Sequence, residues 1–581
     1  MSTTATAVIP TPCANWKDGD SICPNEGTLA CKGCMLVLYC SRDCQVKHWT
    51  EHKKACKSPL SKSSWLPAWD RELRDPAWSF GAAATNLHNA FGPNKHFWGN
   101  TPAMDVLQLP QNEGPAYDKD VAILFAASGD VRNVVKTIQN LPLDFKHQVK
   151  MTINDRAFDV TARNAVILLL ALRSLEESDE PDIEKLAETL IHIWYSANIT
   201  KEMLSELQVK VKPLIIDLVQ KTPGGDQAAF IRKAWSFKSG NSLSLTLGRN
   251  NWARVLEFLD VPEGLTLEKA REIRHAVTLA PERLDYRERW YFKDVSPSMR
   301  VAKQRYREDG LLLPFGQPRI GFDYPNPTIF QAADFWPLDD KADPLNGWPL
   351  REVRATPPSR ATEDMYGRLL SYLRGVFSAF LRRLTIGKVR FEFFNLDARD
   401  LGNILDMNSY DRIEASNISD YAWLGTRGTL QCLLPLLKPP TANPHATLIT
   451  VYLNAVMEAV KRGGPESDEL DMAQIRKYLT KIKDLSLLSK PQGAEMYRIW
   501  DARNFVLDAD KYFRKYMAVV RFEDIKKDLR VEMKEENTIG DAWPTALKLR
   551  PGQPGAQEEF DDALASCCSG VERFVEWKRV V

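Results

Sequence analysis

Hydrophobic positions along this chain change their period several times, and each change marks an element. Residues 121–127 form an unbroken apolar run that ends in Ser128-Gly129-Asp130, the pattern of a buried strand leading through a turn into a helix over 131–140. A second strand is predicted over 148–153, closed by Asn154-Asp155. Ile183, Leu186, Leu190 and Ile193 then recur at helical spacing behind Asp182, a helix N-cap residue type. Leu204, Leu207, Val211, Leu214 and Leu218 make a further stripe that Pro213 should kink or break. Another helix is predicted over 267–279. Residues 310–349 are dense in Pro, Gly, Asp and aromatics (Phe315, Phe322, Tyr324, Phe330, Phe335, Trp336, Trp348), too apolar for a solvated linker and best read as a long ordered loop. Strand patterns return at 389–394, 412–415 and 447–453, each between helical or turn-like segments, the alternation of an α/β sheet. Gly463-Gly464-Pro465 reads as a boundary. Beyond it the periodicity predicts helices over 470–488 and 496–522, then a Pro/Gly break at 550–555 and a short final helix. No internal repeat or coiled-coil pattern is visible.

Composition narrows the class. Of 581 residues, 44% are hydrophobic and 26% charged, as in an ordinary globular chain of about three folded units. The 77 basic and 76 acidic residues leave a net charge of +1, which argues against a global field for nucleic acid or an anionic membrane. The longest strongly apolar run, 165–172, falls far short of the ~20 residues of a membrane span. Residues 1–12 lack the basic and apolar regions of a signal peptide, so an intracellular location, cytoplasm or nucleus, is expected. Seven of the ten cysteines precede residue 57, the others being Cys432, Cys567 and Cys568. In a reducing compartment such a cluster reads as metal ligands, not disulfides.

The candidate ligands are Cys13, Cys23, Cys31, Cys34, Cys40, Cys44, His52 and Cys56. Close pairs such as Cys31-x2-Cys34 present two thiolates from one turn, and Cys40-x3-Cys44 does so where a turn enters a helix. His52-x3-Cys56 sets an imidazole and a thiolate one helical turn apart. Eight ligands make two four-coordinate zinc sites with no position for water, hence structural rather than catalytic zinc. So small a unit cannot bury enough surface to fold alone, and metal binding supplies the difference.

Cys31-Lys-Gly-Cys34, Tyr39-Cys40-Ser-Arg-Asp-Cys44-Gln45, Trp49 and His52-Lys-Lys-Ala-Cys56 resemble the MYND-type zinc finger family. The resemblance implies interleaved sites: Cys13, Cys23, Cys40 and Cys44 on one ion, Cys31, Cys34, His52 and Cys56 on the other. It also implies binding of a short proline-containing peptide of a partner protein through Gln45 and Trp49, although Trp49 could equally pack on the second zinc lobe. These fingers usually open with a Cys-x2-Cys pair, whereas Cys13 lies ten residues before Cys23. Either Cys13 closes the first site across a longer loop, or Asp20 or water completes it. His48, one turn before His52, is expected to face solvent or peptide.

Trp98-Gly-Asn-Thr-Pro-Ala-Met-Asp105, Ile123-Leu-Phe-Ala-Ala-Ser-Gly-Asp130, Asn154-Asp155 and Ala162-Arg163-Asn164 are similar to a domain of unknown function. That domain follows the MYND finger in a group of fungal proteins and forms the N-terminal half of an axonemal dynein assembly factor; the likeness spans about 97–310. The expected fold is α/β: a MYND finger at 13–56, a linker at 57–96, and a Rossmann-like, methyltransferase-like domain at 97–460. A helical insertion falls at about 160–385, and a helical C-terminal region follows at 461–581. The layout resembles S-adenosylmethionine-dependent methyltransferases, with Ser128-Gly129-Asp130 after the first strand, Asp397 after the third and Asp411–Asn417 at the fourth. A cofactor cradle needs several glycines, and only Gly129 is present, so the reading leans away from catalysis. Asn154, Asp155, Arg163 and Asn164 either line a pocket or end strands and cap helices. No catalytic residue is assigned. The expected function is a zinc-binding protein-interaction or assembly factor; the alternative is a methyltransferase that recruits substrate through the finger.

Overall fold

The computed structural model describes residues 11–16, 22–79, 90–221, 229–294, 296–357, 360–462, 471–479 and 490–580. Asp20, the Gly463-Gly464-Pro465 boundary and most of the second half of the 470–488 helix lie outside them. A two-stranded hairpin, β1 (Leu29–Ala30) and β2 (Leu38–Tyr39), opens the chain and leads into the helix Arg42–Cys56. Ser41 caps that helix by accepting from the Cys44 N–H.

The body is built on one nine-stranded mixed sheet. Its first strands are β3 (Val121–Phe125) and β4 (Val149–Asn154). After the short β5 (Asn198–Ile199) come β6 (Phe230–Ser236) and β7 (Ser242–Gly248); β8 (Tyr324–Pro325) pairs with β5 outside the sheet. The remaining strands are β9 (Val389–Phe394), β10 (Arg412–Glu414), β11 (Thr447–Tyr452), β12 (Val531–Met533) and β13 (Arg573–Arg579). The spatial order is β12-β13-β11-β10-β3-β4-β9-β7-β6. From β11 to β7 every pairing is parallel; β13 is antiparallel to both its neighbours, and β6 is antiparallel to β7. Chain order reverses between β3 and β10.

Helices on both faces explain why β3 reads as a continuous apolar run. Ile123 and Phe125 face a core shared with the helices Arg132–Gln139, Phe158–Ser174, Ile183–Tyr195 and Met365–Ile386. Leu124 faces the opposite core, with Leu430, Val456 and Tyr512 from the helices behind. Asp182 caps Ile183–Tyr195 as expected. Around Pro213 the helix is not broken: a π-helical turn, Leu207–Val211, joins Lys201–Glu206 to Lys212–Lys221 and absorbs the missing N–H donor. Phe315, Phe330, Trp336 and Trp348 of the 310–349 loop are buried.

Three expectations need correction. The insertion is not wholly helical, because β6 and β7 extend the sheet beyond β9. Nor is the C-terminal region, which places β13 between β11 and β12. The segment 57–96 is not a solvated linker between 65 and 79. Trp65, Trp69 and Trp78 are buried against Tyr286, Tyr291 and Phe292, and Arg74 forks onto Asp285 at 2.7 and 2.8 Å. Burying indoles offsets the cost of ordering that segment.

Candidate metal centre

Local hydrogen bonds shape the finger before any metal is considered. Cys34 and Met35 both donate to the Cys31 carbonyl, at 3.3 and 2.8 Å, and Met35 takes a left-handed φ of 54°. That tight turn aims two thiols at one point. Gly33 leaves room there, since a Cβ would stand a tight 3.1 Å from the Cys56 sulfur. His52 and Cys56, one turn apart on the finger helix, complete a compact group. Cys31 Sγ lies 3.9 Å from Cys56 Sγ and 3.3 Å from His52 Nε2, which is 3.6 Å from Cys34 Sγ. A zinc tetrahedron with Zn–S near 2.3 Å has S···S edges of about 3.8 Å, and S···N edges slightly shorter. The group has that size.

The other group has the same dimensions: Cys23–Cys40 3.7 Å, Cys40–Cys44 3.4 Å and Cys23–Cys44 3.9 Å. Cys13, fully buried, closes it, accepting the Cys40 backbone N–H at 3.3 Å. In each set of four, all ligand atoms lie within 4.8 Å of one another. Asn15 and Asn25 aim their amides at the sulfurs of Cys44 and Cys40, at 3.4 and 3.9 Å. Donors on thiolate sulfur orient the ligands and spread their charge. These two asparagines were not singled out in the sequence; their only signal is that each stands two residues after a ligand cysteine, Asn15 after Cys13 and Asn25 after Cys23.

The electrostatics fit a dication. Hydrogen bonding from Cys34, then from His52, pulls the Cys31 thiol down to about 3, while Cys31 and burial push Cys34 well up. Burial likewise pushes Cys13 up to about 12. Four thiolates cannot share so small a space without a cation to neutralise them, and zinc supplies that charge when bound. With four protein ligands at each point, the ion is structural.

His48 is half-buried: its Nδ1 lies 3.0 Å from the Tyr39 hydroxyl, and its ring stacks on that of His52 and lies tilted beside Trp16. It braces the finger from inside. Trp49 stands edge-on to His52 at 5.8 Å, with Lys57 5.6 Å over its ring; Gln45, also partly exposed, is one turn away on the same helix. The finger is seated on the body. Trp16 Nε1 donates to the Gly316 carbonyl at 2.8 Å, Ser298 to Cys34 O at 2.6 Å, and the Glu363 N–H to Met35 O at 3.1 Å.

At the carboxyl end of β3, polar groups are partnered internally. The Gly129 N–H donates to Asp155, Asn164 donates to the Gly129 carbonyl, and Asp130 accepts from Gly99 and pairs with Arg132 at 2.5 Å. Asn154 joins the carbonyls of Ala126 and Leu396, and Arg163 those of Phe97, Ile193, Trp194 and Thr328. These four residues tie strand ends and loops together. Asp397 caps Ala398–Asn403 and forks onto Arg399 at 2.9 Å on both oxygens.

A family model for the MYND finger matches residues 20–56, and one for a domain of unknown function (DUF4470) matches residues 97–199. No solved structure matches the chain. The N-terminal unit is therefore a MYND zinc finger whose two Cys/His clusters fit two zinc ions. Cys13 precedes the matched span and joins by geometry. Among the described residues, no helix is long and apolar enough to cross a membrane.

Proposed function

We propose that this protein is an intracellular two-zinc adaptor: its MYND finger docks a proline-containing peptide of a partner protein, and its α/β body is a non-catalytic scaffold for protein assembly. The observation that carries the reading is the finger helix, where a partly exposed indole, Trp49, rests on a zinc ligand one turn from the Gln45 amide. An aromatic face beside a hydrogen-bonding amide suits an extended peptide that loses little entropy on binding. The scaffold role also draws on the resemblance read from the sequence motifs between about 97 and 310, of which the model for a domain of unknown function matches 97–199. Fluorescence anisotropy with a proline-rich peptide library tests the docking. Binding should be weakened by Trp49→Ala and by Gln45→Ala at unchanged zinc content, and unaltered affinity in both would reject these contacts.

One observation favours the methyltransferase alternative. Chain order reverses between β3 and β10, and open α/β sheets take ligands outside the carboxyl ends of their strands at such a point. Against it, the Gly129 N–H and the Asp130 carboxylate are held by Asp155, Gly99 and Arg132, and Asp397 is held by Arg399. Isothermal titration with S-adenosylmethionine separates the readings: micromolar binding that is lost in Asp397→Ala would overturn the scaffold.

A further inference from the structure

Between the finger and the helical part of the body lies a cleft of about 700 Å3. The finger side contributes Trp16, Lys54 and Ser58; the body contributes the helices Leu267–Thr278 and Pro297–Asp309 and the loop that follows. Its charged lining consists of Lys54, Arg271, Arg274, Arg305 and Arg319 against Glu308, Asp309 and Asp323. Most of these groups are already engaged. Lys54 pairs with Glu51, and Arg274 donates to the carbonyls of Tyr306 and Arg307. Arg319 pairs with Asp309 at 3.0 Å and donates to the carbonyls of Pro314 and Phe315. Glu308 accepts from Gln304, and Asp323 is exposed to solvent.

Two guanidinium groups keep terminal nitrogens without an acceptor among the described residues, one of them only partly paired. Arg305 reaches Asp309 only through Nε, at 3.6 Å, and must share that carboxylate with Arg319. It lies over the Phe315 ring at 4.6 Å, and among the described residues its terminal nitrogens have no hydrogen-bond acceptor. Burial, and after it the neighbouring Arg319 charge, brings Arg305 down to about 10. Its positive charge is thus poorly compensated by the protein alone. Arg271, on the adjacent helix, is exposed and likewise has no acceptor among the described residues.

We propose that this cleft binds a small phosphate-bearing metabolite, with Arg305 and Arg271 forking onto the phosphate oxygens. Planar guanidinium forks match phosphate geometry, and a phosphate monoester carries about −1.5 to −2 charge, a complement for the exposed Arg271 and for the terminal nitrogens that Arg305 keeps free beside its shared pairing with Asp309. The cleft falls within the ~300–1,000 Å3 of small-ligand sites and is walled by the finger on one side and the body on the other. A ligand there touches both lobes, so it would also tighten the seating of the finger. The test is calorimetric titration of the full-length, zinc-loaded chain with ATP and with inorganic pyrophosphate, and with citrate as a carboxylate polyanion. Saturable binding of a phosphate probe is expected, weakened about tenfold or more by Arg271→Ala and by Arg305→Lys, with two zinc ions retained in both variants. Arg271→Ala removes an exposed side chain and spares the fold, and Arg305→Lys keeps the charge while losing the fork. The proposal is overturned by no saturable binding of either phosphate probe, by unchanged affinity in both variants, or by citrate binding as tightly as pyrophosphate.

Discussion

Cys13 is the residue on which the first zinc site turns. It is fully buried, and the Cys40 N–H points at its sulfur. A Cys13→Ala chain should carry one zinc ion instead of two by elemental analysis, with the second cluster intact; two ions in that variant would mean another group closes the site. A second residue-scale prediction concerns Glu414, buried at the end of β10, where it accepts the Ser416 N–H. Burial raises its carboxyl from 4.5 to about 7. A carboxyl whose folded-state value lies above its unfolded one contributes most below the unfolded value and loses that contribution as pH climbs through the folded value. Stability should therefore fall between about pH 4.5 and pH 7 by roughly 3 kcal/mol on this group's account. Glu414→Gln keeps the acceptor and removes the proton, so urea midpoints of the variant should lose that part of the pH slope. An unchanged slope would show that Glu414 is ionised in the fold without penalty.

At the scale of elements, the aromatic cluster beneath the 65–79 segment offers the sharpest test. Trp78 is buried, with its ring edge-on to Trp69, Tyr286 and Tyr497 at 5.0–5.2 Å. Trp78→Ala should cost about 3 to 5 kcal/mol in a denaturant titration, whereas a solvated linker would show almost nothing. Why sequence reading missed this segment has a physical answer: the polar stretch at 57–64 is real, but three indoles spaced among Pro, Asp and Arg carry no periodicity. The parallel strands β3, β4, β9, β10 and β11 were legible because short runs rich in Val, Ile, Leu and Phe stand between turn-forming and helical segments, although β10 is Arg412-Ile413-Glu414 and β4 and β9 carry polar positions. The final strand, β13, was not. It places Glu576 in the sheet interior, where the carboxylate accepts the N–H groups of Thr538, Ile539 and Gly540 and pairs with Lys534. A buried charge that organises a loop breaks the alternation that announces a strand. β7, Ser242–Gly248, alternates polar and apolar positions as a strand does, and it was not singled out in the sequence. In the finger, ligand spacing showed the close pairs Cys31/Cys34 and His52/Cys56, and the resemblance to MYND fingers grouped them on one ion, while the long loop behind Cys13 left the first site open until three dimensions closed it.

For the whole molecule, the seam between finger and body makes the zinc ions structural for more than the finger. Ala14, Leu36 and Val37 are buried in the same core as Phe315, and a Cβ on Gly316 would stand 3.0 Å from that of Ala14. Trp16, Cys34 and Met35 each hydrogen-bond the body across this seam. Structural zinc contributes on the order of 10–16 kcal/mol to small metal-dependent folds, comparable to the whole stability of a typical domain, so the metal-free finger cannot keep this geometry. Once it unfolds, the Ser298, Gly316 and Glu363 partners lose their bonds together, while the nine-stranded sheet carries none of the eight zinc ligands. Chelation should therefore raise amide exchange in the described finger residues, and at 363 on the body, whose N–H donates to Met35, leaving β3, β4 and β11 protected; hydrogen exchange with mass spectrometry reads both at once. Exchange confined to the finger residues would mean that the seam contributes little, and the finger would then act as a tethered module whose partner binding is independent of the body beneath it.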